Sequence, residues 1–85
     1  MPEENQRELT YGEKAVGIDF NPSKDETVAR VKATFAELID LVEGRRTPND
    51  DRFKNTMITT TVSTLVTAQM FVVKVVTWKH IEVKK

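Results

Sequence analysis

The sequence predicts an all-α fold: a short N-terminal helix followed by an antiparallel helical hairpin, assembled as an oligomer. Three observations predict it. Apolar residues recur at three- and four-residue steps through Val28, Val31, Phe35, Leu38, Ile39 and Val42. The run from Met57 to Trp78 then stays largely apolar without a turn residue. Between the two lies Arg45-Arg46-Thr47-Pro48-Asn49-Asp50-Asp51, a polar, proline-containing loop short enough to join antiparallel neighbours.

Residues 1–85 make one domain, with helices expected over about 3–17, 24–43 and 50–79. The start of the second helix carries the strongest local signal: Ser23 followed by Glu26 reads as a capping box, with acidic side chains in the first turn. Arg30, Lys32, Glu37, Asp40 and Glu43 fall mostly off the apolar stripe, and Gly44 ends the helix. In the last helix the many Thr, Val and Ile residues favour a strand by up to about 1 kcal/mol each on propensity alone. The run far exceeds a typical strand of about five or six residues, and it does not alternate, so a long helix fits better.

On that helix Ile58, Leu65 and Val72, with Val62, Gln69 and Val76, make one face; Thr61, Thr64, Ala68, Phe71, Val75 and Trp78 make another. One face can meet the preceding helix, and the second then calls for another subunit. Lys74 is the only charge between Met57 and Trp78, which also invites a membrane-spanning reading. The Thr and Ser residues, Gln69 and Lys74 within the span lower its transfer hydrophobicity, and burial between subunits is expected instead.

Composition narrows the function. An 85-residue chain buries only about 60% of its unfolded surface, which favours association. Without cysteine it can form neither a disulfide nor a thiolate metal site. The polar, acidic start Met1-Pro2-Glu3-Glu4 is unlike a signal peptide, and a cytoplasmic location is expected. The formal charge is zero but divided: residues 1–44 hold ten acidic and five basic groups, residues 45–85 three and eight. That pattern suits pairing of segments or subunits and gives no basic field for duplex nucleic acid.

One histidine, His80, and no glycine-rich phosphate loop argue against catalysis, and Asp50 and Asp51 sit where a helix start wants carboxylates rather than a metal. No cofactor is expected. Tyr11, the sole tyrosine, lies in the polar stretch Thr10-Tyr11-Gly12-Glu13-Lys14, where its ring can stack on a base or pack over the hairpin as a staple. Lys32 can likewise be a site residue or one of a solvated face.

The segments Leu9-Thr10-Tyr11-Gly12-Glu13-Lys14-Ala15-Val16-Gly17, Phe20-Asn21-Pro22-Ser23, Val31-Lys32 with Ala36-Glu37-Leu38-Ile39-Asp40, and Thr67-Ala68-Gln69-Met70-Phe71-Val72-Val73-Lys74 with Thr77-Trp78 together carry a resemblance. In order and spacing the chain resembles the phage anti-CBASS proteins of the second type, cyclic-oligonucleotide sponges that share a helical hairpin domain with the anti-Thoeris sponges. The resemblance covers about residues 5 to 79. It implies a homohexamer in the host bacterial cytoplasm that sequesters 3′,3′-cGAMP-like cyclic dinucleotides without cleaving them, in a pocket between two protomers. By the same resemblance Tyr11 stacks on a base and Lys32 meets phosphate, with Lys24 as the alternative cation and Ser23 and Lys14 as further phosphate contacts. Some members hold cyclic trinucleotides through an arginine on the long last helix; Val62 stands at that position here, a departure that counts against trinucleotide binding. From a different class, a structural or regulatory helical module that binds a host protein through its apolar helix is the alternative.

Overall fold

The computed structural model describes residues 7–48 and 51–79, which form three helices and no strand: α1 (Tyr11–Val16), α2 (Glu26–Glu43) and α3 (Arg52–Val76). The regular structure of the described residues is all-helical. The expected helix residues 3–6, Asp50 as a helix start, and His80 with the tail beyond it lie outside the described residues.

α1 is shorter than the expected helix over 3–17, because residues 7–10 are not helical and Thr10 is the N-cap. Thr10 Oγ1 accepts from the Glu13 amide at 3.1 Å, and Glu13 Oε1 accepts from the Thr10 amide at 2.9 Å. The capping box of this chain therefore belongs to α1. Arg7 donates to both Glu13 carboxylate oxygens, at 2.9 and 3.2 Å. Gly17 closes the helix in the left-handed region, φ 64°, a conformation that glycine reaches without a Cβ penalty.

The capping box expected from Ser23 and Glu26 does not form. Asp25 caps α2 instead, its Oδ1 accepting from the Thr27 amide at 2.7 Å and the Val28 amide at 3.3 Å. The helix begins at Glu26 rather than 24, since Lys24 takes a left-handed φ of 56° that a helix cannot contain. Ser23 Oγ donates to Asn21 Oδ1 at 3.3 Å and serves the turn before the helix. Gly44 stands at the C-cap, as expected.

α3 is capped by Asp51, whose carboxylate accepts from the Phe53 and Lys54 amides at 3.0 and 3.3 Å. Within it the Thr64 hydroxyl bonds back one turn, donating to the Thr60 carbonyl at 2.9 Å. The loop from α2 is stitched to α3 by Asn55, which donates to the Thr47 carbonyl at 2.7 Å and accepts from its amide at 3.3 Å. Arg46 pairs with Glu43, which raises its already high pKa, and donates to Thr59 Oγ1 at 2.9 Å.

The core consists of Val16, Ala36, Ile39, Ile58 and Val62, flanked by Ala15, Ile18, Phe35, Val42, Leu65 and Val66. All three helices contribute to it, and Ile39 is wholly buried. Of the two faces expected on α3, the one with Ile58, Val62 and Gln69 is buried, while Thr61, Thr64, Phe71, Val75 and Trp78 are exposed. The molecule is flat, with Cα extents of 59 × 42 × 12 Å. By length and composition α3 is long and apolar enough to cross a membrane, with a mean hydropathy of 1.4 over its best window.

α1 can lie against α2 only because residue 12 is glycine: a Cβ there would stand 2.1 Å from the Ala36 carbonyl oxygen. The Gly12 amide then donates to Asp40 Oδ1 at 2.7 Å, so a carboxylate of α2 satisfies a free N–H at the start of α1. Gly12→Ala should force the helices apart and cost about 1–3 kcal/mol by overpacking, read as a lower thermal midpoint. The Arg7 guanidinium and the Thr10 amide hold the Glu13 carboxyl below its ordinary 4.5, so its contribution is present above that value and is lost as pH falls through the lowered pKa. The difference in thermal midpoint between the native chain and Glu13→Gln should shrink below pH 4.5 and stay constant above about 6.

Candidate functional site

Lys32 occupies a place its sequence position did not suggest. It was expected off the apolar stripe, on a face where a solvated lysine is common; it is 5% exposed. Successive turns of α2 bury Val28, Lys32, Ala36 and Ile39, so the lysine stem takes a core position. Its ammonium must then find acceptors, and it does so in the segment after α1. Nζ donates to the Gly17 carbonyl at 2.9 Å and to the Phe20 carbonyl, and it lies 5.3 Å from the centroid of the Phe20 ring. Gly17 O also accepts from the Phe20 amide at 2.9 Å, so the turn closes on itself around the lysine.

The lysine has two carbonyl partners and no carboxylate among the described residues. A buried positive charge is costly when it is held by neutral acceptors alone. An ammonium carries three donors, and these two bonds use two of them. Lys32 also lines a cavity of about 280 Å³. One wall is the turn Phe20-Asn21-Pro22-Ser23, and the others are Val28 of α2 with Val73 and Thr77 at the end of α3. A mostly apolar hollow with one buried cation suits a ligand that joins a flat apolar group to an anion.

The turn is rigidly held. Asn21 Nδ2 donates to the Asp25 carbonyl at 3.0 Å, while Asn21 Oδ1 accepts from the Asp25 amide and from Ser23 Oγ, each at 3.3 Å. Ser23 thus lines the cavity with Lys32, but its proton is engaged, and it can donate to a phosphate only by leaving Asn21. Lys24, the alternative cation, is exposed beside it.

The other two sequence candidates lie elsewhere. Tyr11 opens α1 and is 54% exposed, not packed away as a staple. Its neighbour Gly12 stands against the Ala36 backbone, one turn beyond Lys32 on α2, and bonds the Asp40 carboxylate a further turn on. Lys14 is exposed, with Glu8 4.0 Å away. A single protomer therefore brings Lys32 and Ser23 together and leaves Tyr11 and Lys14 outside that cavity. Val62, at the position where the resemblance would want an arginine, is buried in the core.

A larger, shallower cavity of about 530 Å³ lies over the loop, lined by Arg46, Arg52 and the threonines at the start of α3. Its Arg46 is bonded to Glu43, Asn55 and Thr59, and its Arg52 is exposed to water. No group of three or more potential metal ligands occurs among the described residues. Gln69 is a buried polar residue of α3, one turn before Val73 of the smaller cavity. Sequence reasoning missed Phe20 as a ring beside Lys32 and Asn21 as the lock of the turn; the compact Phe-Asn-Pro-Ser string was the available signal.

Comparison with protein-family models, with curated proteins and with solved structures finds no match.

Lys32 should be as important to stability as to binding. Lys32→Met keeps the stem but strands the Phe20 carbonyl, and a loss of about 1–3 kcal/mol is expected by chemical denaturation. An unchanged denaturation midpoint would show that the two carbonyl bonds contribute nothing.

Proposed function

We propose that this protein is a non-enzymatic sponge for cyclic dinucleotides of the 3′,3′-cGAMP type, acting in the host bacterial cytoplasm against CBASS signalling. The observation that carries the reading is the buried Lys32 ammonium: it lines a cavity, lacks a carboxylate partner among the described residues, and stands where the sequence resemblance puts the phosphate contact. A phosphate of the ligand would supply the missing negative charge at a desolvated cation, where a charge-assisted bond is worth about 1.5–3 kcal/mol.

The assembly proposed is an antiparallel α2–α3 hairpin in a homohexamer. The start of α2 lies beside the end of α3 across the cavity, and Arg46 just after α2 reaches Asn55 and Thr59 near the start of α3, which supports the hairpin. The flat shape and the exposed Leu41, Phe53, Met57, Met70, Phe71, Val75 and Trp78 support association, since a domain ordinarily covers its apolar face with a second layer.

Association also bears on the site. In one protomer Tyr11 opens α1 and does not line the Lys32 cavity, so a ligand seated in that cavity would take its tyrosine from a neighbouring subunit. An isologous pair presents each contact twice, matching the pseudo-two-fold of a cyclic dinucleotide. Two stacks and two phosphate contacts total roughly 5–12 kcal/mol before ordering costs, against about 12 for nanomolar capture.

The test is calorimetric titration of the purified chain with 3′,3′-cyclic GMP–AMP, followed by recovery of the nucleotide from heat-denatured complex. Submicromolar binding and intact ligand are expected, with Tyr11→Leu weakening binding by roughly 5- to 150-fold without change in oligomer size. Hydrolysed ligand would overturn the sponge reading. No heat of binding would leave the exposed face of α3 as the working surface, and with it a helical module that docks on a host protein.

A further inference from the structure

We infer that Phe20 is a base-stacking residue of this site, supplying the aromatic face in the same protomer whose Lys32 meets the phosphate; the inference rests on the dinucleotide reading above. Tyr11 does not line this cavity in the protomer; it opens α1, where Gly12 meets Ala36 and Asp40. Phe20 is placed for stacking.

Three features of the structure converge on the ring. Phe20 is 71% exposed, an unusual fate for a phenylalanine, yet its backbone is pinned: its amide donates to the Gly17 carbonyl at 2.9 Å, and its carbonyl accepts from Lys32. The Lys32 ammonium lies 5.3 Å from the ring centroid, so the ring has a cation on one side while most of its area stays open. The ring also lines the same 280 Å³ cavity as that ammonium.

A nucleotide presents the matching pair, a flat base and an anionic phosphate a few bonds apart. The ring would take the base by stacking, and Lys32 the phosphate. Because the Phe20 amide and carbonyl are both bonded and the turn after it is tied by Asn21, the backbone that carries the ring is in place before the ligand arrives. Stacking reads the π-face rather than the base edge, so Phe20 should favour nucleotides over other phosphates without choosing strongly between purines.

The test is titration of the oligomer with 3′,3′-cyclic GMP–AMP, comparing the native chain with Phe20→Leu, Phe20→Tyr and Phe20→Trp. Phe20→Leu should weaken binding by roughly 5- to 150-fold, and the two aromatic replacements should restore it to within a few-fold. Native binding with Phe20→Leu unchanged overturns the role of Phe20 and leaves the dinucleotide reading standing; no binding by the native chain removes both. Should Phe20→Leu lower the melting temperature markedly, Phe20→Trp in a Trp78→Phe background reports directly. Its emission should be quenched by saturating ligand, and unaltered emission overturns the inference.

Discussion

The close approach of α1 to α2 at Gly12 is the constraint on which the rest depends. A helix of six residues does not hold together in water, so α1 exists only because it is docked. Docking needs a backbone surface with no Cβ at residue 12, an Asp40 carboxylate to take the exposed amide, and a Thr10–Glu13 capping box to start the helix. Val16 then reaches the core and Gly17 turns the chain, which delivers the Gly17 and Phe20 carbonyls to Lys32. Loss of the Gly12 contact would dismantle the lysine's environment from a distance.

Lys32 is thereby both a strut and the centre of the proposed site. A structural lysine in a small core would be best served by a carboxylate, which would cancel its charge. Here the acceptors are neutral, and the ammonium borders a cavity. In the proposed function the missing charge comes from the ligand, and binding would tighten the same contacts that hold α1. Folding and capture are then coupled through one side chain, which explains why substituting it is a poor way to separate the two.

Helix periodicity made the all-α architecture and the two faces of α3 readable from sequence, because apolar spacing and the absence of turn residues are local properties. Gly44 as a helix end was readable for the same reason. The start of α2 was misread, since Asn21, Ser23 and Asp25 are all competent caps, and the choice depends on Lys24 adopting a positive φ that no residue type announces. The burial of Lys32 was hidden because its acceptors lie 15 and 12 residues away and come from backbone, which carries no sequence signature. Tyr11 and Lys32 were paired by resemblance alone; that Tyr11 does not line the Lys32 cavity is a property of helix packing that spacing in the chain cannot express.

In the proposed function the buried ammonium of Lys32 receives a phosphate of a captured cyclic dinucleotide. The most direct measurement is a crystal structure of the chain grown with 3′,3′-cyclic GMP–AMP. A phosphate oxygen is expected within about 3 Å of Lys32 Nζ, with the carbonyl bonds to Gly17 and Phe20 retained. A nucleotide bound with its phosphates away from Lys32, or over the loop beside Arg46 and Arg52, would contradict it.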